Sequence, residues 1–210
     1  MVEYNKIDTV FERDVNGTKK LVQGQFRSKS VEFLANNQWA FTEKIDGTNI
    51  RIHWDGHRVE FGGRTERAQI PATLVTYLNE TFGGTTNEEL FEQKFGENDV
   101  ILFGEGYGAG IQKGGLYRSD VSFILFDVLV GSIYLERENV EDIAKTFNID
   151  VVPIIGTGTL QEAVSFVMTR PMSTIGKAPM EGIVARPVIE MKDRMGRRII
   201  TKIKVCDFVC

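Results

Sequence analysis

Histidine and cysteine are nearly absent, two of each in 210 residues, and no stretch of the chain is a long apolar run. The first shortage speaks against a zinc centre. His53 and His57 lie close together in sequence, but no third ligand is near them, and a zinc site takes three or four protein ligands. The two cysteines, Cys206 and Cys210, read as free thiols of a reducing compartment rather than as a disulfide framework. In that compartment the sequons Asn16-Gly17-Thr18 and Asn79-Glu80-Thr81 stay unglycosylated. Nothing approaches the apolar length of a membrane span, and Met1-Val2-Glu3-Tyr4-Asn5-Lys6 lacks the hydrophobic region of a signal peptide. The expectation is a cytoplasmic protein with no membrane partner. An excess of one charge is missing too: 25 Lys and Arg stand against 29 Asp and Glu, a net charge of -4. A general polyanion binder is excluded, and any nucleic-acid contact has to come from a local patch. There is no proline-rich linker, internal repeat or low-complexity tract, so a single domain over residues 1–210 is expected.

What is present is a succession of short apolar runs. Residues 49–54 and 57–61 alternate at period two around Asp55-Gly56, a pair that favours a two-residue type I′ hairpin. Ile70 to Phe82 opens near a proline and carries Ile70, Leu74, Tyr77 and Leu78 at helical spacing, and Glu88 to Phe95 reads as a shorter helix. Val100 to Phe103 and Val121 to Val130 read as buried strands, separated by a glycine-dense loop, Gly104 to Gly115. Glu138 to Phe147 and Leu160 to Met168 read as helices. Val151 to Ile155, Gly182 to Arg186 and Ile199 to Val205 read as strands. Strands outnumber helices and hairpins interrupt the order, which predicts an α+β fold of antiparallel sheets flanked by helices.

Onto these elements the reactive side chains can be placed. Lys44-Ile45-Asp46-Gly47 follows the apolar run Trp39-Ala40-Phe41, putting a lysine, a carboxylate and a glycine at a strand end. A lysine amine attacks phosphorus only when part of its population is uncharged, which needs desolvation or cationic neighbours, and Lys202 and Lys204 supply such neighbours. Those two lysines share one face of a strand, since positions two apart point the same way. Glu105 closes the strand that begins at Val100, where the bland reading is a turn with a solvated glutamate. Asp127 lies inside an apolar strand and needs a partner to justify burial, while Phe126 is expected on the opposite face. Glu181 opens another apolar strand. Trp39 and Trp54 read as packing. The segment from Lys192 to Arg198 reads most simply as a solvated hairpin loop, with an RNA-backbone role as the alternative, and Lys113 and Arg118 are placed to join such a surface.

In order along the chain, the motifs are Glu43-Lys44-Ile45-Asp46-Gly47-Thr48-Asn49, Phe61-Gly62-Gly63-Arg64, Phe103-Gly104-Glu105, Gly110-Ile111-Gln112-Lys113, Phe123 to Val128, Glu181-Gly182-Ile183-Val184 and Lys202-Ile203-Lys204. Together they resemble the covalent nucleotidyltransferase superfamily, most closely the RNA ligase 2 family. The resemblance implies the nucleotidyltransferase (ATP-grasp-like) domain of ATP-dependent ligases, using ATP with Mg2+ or Mn2+. Such enzymes form a lysyl-AMP, pass the AMP to an RNA 5′-phosphate and seal that end to a 3′-hydroxyl, in nicked or single-stranded RNA. It further implies that Lys44 is the nucleophile and that Lys202 and Lys204 hold the α-phosphate. Glu43 would help read the adenine, Asn49 and Arg64 contact phosphate or ribose, Glu105 accept from a ribose hydroxyl and Phe126 stack on the purine. Glu181 and Asp127 would bind the divalent ion.

The sequence also departs from that family. Asp46 stands where many members carry histidine, and matches the aspartate of DNA ligases and capping enzymes. Only six residues follow Lys204, which leaves no room for a C-terminal OB-fold or helical domain, so at least one of the three steps is expected either to be slow or to need a partner protein in that role. A DNA ligase or GTP-using capping domain is the alternative enzyme reading. A nucleotide-binding module without turnover is the alternative of a different class.

Overall fold

The computed structural model describes residues 1–208; Cys210 lies outside the described residues. The strands are β1 Asp8–Thr9, β2 Phe11–Arg13, β3 Leu21–Phe26, β4 Trp39–Lys44, β5 Thr48–Trp54, β6 Val59–Gly62, β7 Val100–Gly108, β8 Val121–Val130, β9 Ile133–Tyr134, β10 Asp150–Val151, β11 Ile154–Gly158, β12 Gly182–Pro187 and β13 Thr201–Lys204. The helices are α1 Lys29–Phe33, α2 Ala72–Phe82, α3 Thr85–Phe95, α4 Arg137–Thr146 and α5 Leu160–Met168. They form two compact units. One contains Met1–Asn5 with Asp46–Val152, and the other Lys6–Ile45 with Pro153 onward. The α+β expectation holds, with mostly antiparallel sheets in both units.

The unit built on residues 46–152 has a sheet in the order β10-β8-β7-β5-β6, with β9 paired to β8. Only the short β10–β8 pairing is parallel. One face is covered by helices: Ile50, Ile52, Trp54, Leu102, Phe123 and Leu125 pack with Leu74, Leu78 and Phe82 of α2, Phe91 of α3 and Ile143 of α4. The apolar positions of α2 fall four apart, so one stripe of the helix meets the sheet. The β5–β6 hairpin is present, but its turn is not the two-residue type I′. Trp54 pairs with Val59, leaving a four-residue loop from Asp55 to Arg58. Type I′ needs positive φ at both central residues, and within this loop only Gly56 has it, at 94°. The Asp55 carboxylate takes over the turn by accepting from the backbone N–H of His57 and of Arg58, each at 2.9 Å.

The glycines after Phe103 do not end their strand. β7 continues to Gly108, so Glu105 sits within a strand paired on both sides rather than in a turn. Gly104 and Gly106 lie on the helix-covered face, and their missing side chains are what allow close packing there. A Cβ on Gly104 would run into the Phe123 ring, and one on Gly106 into Leu74.

The second unit has a sheet in the order β1-β13-β12-β4-β11, with a separate β2–β3 pair. Its core is Trp39 and Phe41 of β4, Ile183 and Ala185 of β12, and Ile203 of β13, against Leu160, Val164 and Val167 of α5. Helix α5 begins at a capping box in which the Thr159 hydroxyl accepts from Glu162 N–H and the Glu162 carboxylate accepts from Thr159 N–H. The strand expected over Val151 to Ile155 is two: β10 ends at Val151 and β11 begins at Ile154, in different units.

Candidate active site

The register of the second sheet aligns three positions. Lys44 of β4 pairs with Gly182 of β12, and Gly182 pairs with Lys204 of β13. Residues directly opposite one another across antiparallel strands project to the same face, so Lys44 and Lys204 stand on one face with a glycine between them. Thr42, Val184 and Lys202 form the next row of that face. The other face, with Phe41, Ile183, Ala185 and Ile203, is buried in the core. The expected period-two placement of Lys202 and Lys204 is therefore what the sheet shows.

Glu181, the residue before β12, closes the arrangement. Lys44 Nζ donates to Glu181 Oε2 at 2.6 Å, and Lys204 Nζ lies 2.7 Å from Glu181 Oε1, so one carboxylate bridges both ammonium groups. The Glu181 carbonyl accepts from Val205 N–H at 2.9 Å, which fixes the backbone under that carboxylate. Burial pulls the Lys204 pKa down, but the hydrogen bond and charge of Glu181 together outweigh it and leave Lys204 above the ordinary lysine value. Three lysines stand on this face and one carboxylate bridges two of them, a concentration of positive charge suited to a polyphosphate.

Glu43 points away from its neighbour Lys44, into the protein, where it is 1% exposed. Its Oε2 accepts from Thr174 N–H at 2.9 Å and from the Thr174 hydroxyl at 2.5 Å, tethering the loop that leads to Glu181. Its Oε1 is buried and has no hydrogen-bond partner among the described residues.

The remaining sequence-selected residues belong to the first unit. Asn49 of β5 and Glu105 of β7 are direct register partners. They project from the sheet face opposite the helices, because Ile50, Ile52, Gly104 and Gly106 occupy the helix-covered one. Asn49 Oδ1 is buried without a hydrogen-bond partner among the described residues, an acceptor held ready for a donor.

Phe126 and Asp127 share that face rather than taking opposite ones. The register jumps there: Phe103 pairs with Asp127 and Gly104 with Leu125, so Phe126 is the extra residue of a β-bulge and the alternation slips by one. Tyr4 touches both. Its ring lies 5.1 Å from the Phe126 ring, edge-on, and its hydroxyl donates to Asp127 Oδ2 at 2.8 Å. Asp46 donates its backbone N–H to the Tyr117 hydroxyl at 3.4 Å. Arg64 is exposed and follows Gly63, whose carbonyl accepts from Arg51 Nε at 2.7 Å.

Sequence reasoning misses Tyr4 and Arg51. Arg51 is fully buried and also donates to the carbonyls of Met1 and Val2 at 2.9 and 3.2 Å, so it ties the N-terminal arm and the Gly63-Arg64 segment to one strand. Its sole sequence signal is a cation between Ile50 and Ile52, which an exposed strand face would show equally well.

A divalent cation is compatible with these residues in one way. Among the described residues no cluster of three or more His, Cys, Asp or Glu forms a cage. Magnesium and manganese are hard ions, and magnesium typically binds through one or two carboxylates with substrate phosphates and water as the other ligands. Glu181, with its oxygens turned toward the lysine face, supplies a donor of that kind.

Comparison with known proteins gives a consistent picture. A family model described as RNA ligase matches residues 37–204. No curated protein matches the chain. Among solved structures, Naegleria gruberi RNA ligase with PPi is similar at a TM-score of 0.62 and 18% identity, covering 96% of this chain and 61% of that one. A mutant of the same ligase with ATP and Mn is similar at 0.63 and 17%, covering 95% and 60%. Another mutant, with AMP and Mn, gives 0.63 and 17%, with 94% and 60% covered. At this identity the likeness is one of fold, and the chain spans about 60% of the length of these structures.

Proposed function

The chain belongs to the RNA ligase family, and from that premise we propose that it is the adenylyltransferase domain of an ATP-dependent RNA ligase, charging Lys44 with AMP. The observation that carries this reading is the double bridge of Glu181 to Lys44 and Lys204 at 2.6 and 2.7 Å. A lone lysine at a strand end has no chemistry; one registered against a second lysine across a glycine, with a carboxylate between, has a place for an α-phosphate.

Lys44 Nζ attacks the α-phosphorus of ATP: the N–P bond forms, the bond to the pyrophosphate oxygen breaks, and a proton leaves Nζ. Lys202 and Lys204 hold the α-phosphate oxygens and raise the local positive potential, which stabilises the charge that develops in transfer. A divalent ion at Glu181, when bound, offsets the charge building on the α-phosphate. An RNA 5′-phosphate oxygen then displaces Lys44 from the AMP, and a 3′-hydroxyl attacks that 5′-phosphate, releasing AMP and closing the strand. For Glu43, Asn49, Arg64, Glu105 and Phe126 we propose the nucleotide contacts implied by the family resemblance, and for Asp127 a part in binding the metal. The solved structures it resembles are longer, and we assign engagement of RNA ends in part to a further domain or a partner protein. The exposed Cys206 thiol fits a cytoplasmic setting.

Intact mass after incubation with ATP or GTP and magnesium tests the proposal. An acid-labile AMP adduct is expected. A GMP adduct selects the capping-type reading that Asp46 admits, and no adduct with either nucleotide removes turnover altogether.

A further inference from the structure

The hairpin joining β12 to β13 carries features that adenylylation does not use. Arg186, Lys192, Arg194, Arg197 and Arg198 stand against Glu190 and Asp193 in a chain whose net charge is -4. Both acids are occupied inside the hairpin. Asp193 Oδ1 accepts from Met195 N–H at 2.8 Å and Arg197 N–H at 2.9 Å, and Oδ2 accepts from Arg197 Nε at 2.8 Å. These bonds, the Arg197 N–H foremost, hold the Asp193 carboxyl below the usual range. Glu190 Oε2 accepts from Arg198 Nη2 at 2.7 Å. The turn is closed by Asp193 N–H to the Arg197 carbonyl at 2.8 Å and by Gly196 at φ 74°.

The tip is therefore built from its own acids, and Lys192 and Arg194 are left exposed with no acidic partner among the described residues. Beside them Val188, Ile189 and Met195 are 58%, 74% and 75% exposed. These three apolar side chains and the two exposed cations fall within residues 188–195 of one hairpin. Uncompensated cations next to open apolar surface are what a nucleic acid strand takes, cations for its phosphates and apolar faces for unstacked bases.

We propose that this hairpin is a docking surface for the RNA strand of the substrate, with Lys192 and Arg194 on its phosphates and Ile189 and Met195 against its bases. The proposal rests on the RNA ligase reading and names where that RNA is held. Along β12 the hairpin lies at the end away from Lys44: Gly182 pairs with Lys44 and Pro187 with Trp39, five residues or about 16 Å of strand. The lysine chemistry is thus separable from the docking surface.

The test is the double variant Lys192→Ala with Arg194→Ala, together with Met195→Ser. RNA affinity is measured across a salt series, and self-adenylylation, which needs no RNA, is measured in parallel. The double variant should bind RNA about tenfold more weakly, with the slope of log affinity against log salt reduced by about 1.4, roughly 0.7 for each single-strand phosphate that is no longer neutralised. Met195→Ser should weaken binding with the slope unchanged, and both should adenylylate at the parent rate. Parent affinity and slope in the double variant overturn the docking surface. Failure of the parent protein to adenylylate overturns the enzyme reading instead, and the two outcomes are read in separate assays.

Discussion

In the sheet of β4, β12 and β13 the candidate chemistry is expressed as charge, with three lysines on a face and one carboxylate bridging two of them. In the sheet of β5, β7 and β8 it is expressed as shape, with a bulge that turns Phe126 and Asp127 to one side and glycines that let the strands pack closely. The first arrangement needs few residues of a particular kind at fixed register and tolerates solvent. The second needs the backbone itself to be unusual, and its polar members, Asn49 and Asp127, carry buried oxygens. Changes to the charged sheet should therefore remove activity and spare the fold, while changes to the other should cost stability or nucleotide affinity first.

The sharpest expression of that difference is Lys44→Ala, which should abolish the AMP adduct while leaving the melting temperature close to the parent's. A mutant that still carries acid-labile AMP shows that the nucleophile lies elsewhere. Glu181→Ala or Lys202→Ala should slow adenylylation by about a hundredfold or more, the scale of removing a charged group that stabilises the transition state. Parent rates in either would take that residue out of the mechanism. Gly104→Ala should do the reverse, lowering unfolding free energy by about 1–3 kcal/mol because the new methyl meets the Phe123 ring; a denaturant midpoint equal to the parent's would mean that the packing there is loose.

Smaller again is Tyr4→Phe, which keeps the ring on Phe126 but takes the Tyr4 hydroxyl away from Asp127. About 1 kcal/mol of stability and a rise in KM for ATP at unchanged kcat are expected if Tyr4 sets that face for the nucleotide. A fall in kcat with KM unchanged would contradict this. The smallest effect is in alkali. Lys204 is raised above its ordinary value of 10.5 by Glu181, so its contribution is complete below that pH and lost as pH rises through the folded-state pKa. Between the parent and Lys204→Met, the stability difference should shrink above about pH 10.5, by less than about 1 kcal/mol since the pair is partly solvated. A difference that grows with pH would reverse the sign of the interaction.

How much of this is legible in the sequence follows from where the partners lie. Lys202 and Lys204 share a face by period alone, and Val121 to Val130 and Leu160 to Met168 are bounded by their own apolar runs, so local pattern is sufficient. Gly104 and Gly106 mislead, because glycine is read as a breaker when the reason for it, Phe123 and Leu74, lies on other elements. A bulge is a property of a pair of strands, so no reading of β8 alone turns Phe126 toward Asp127. Tyr4 and Asp127 are 123 residues apart, and Arg51 and Met1 are 50 apart; neither pairing leaves a mark in either segment. The type I′ expectation fails for a related reason: Asp55 offers a side chain that competes with the backbone for the same turn.

The interleaving of the two units along the chain has a consequence in time. Residues 46–152 are contiguous apart from a short N-terminal arm, whereas the unit that holds Lys44 is split around them. During synthesis the first can collapse as soon as it emerges, while β4 waits for β12 and β13, and Lys44 waits for a glutamate 137 residues downstream. Such distant pairings are slow to close and leave a strand edge open meanwhile. Lys44, the proposed nucleophile, is therefore translated well before Glu181, and its place beside that carboxylate is completed only when the later strands join the sheet.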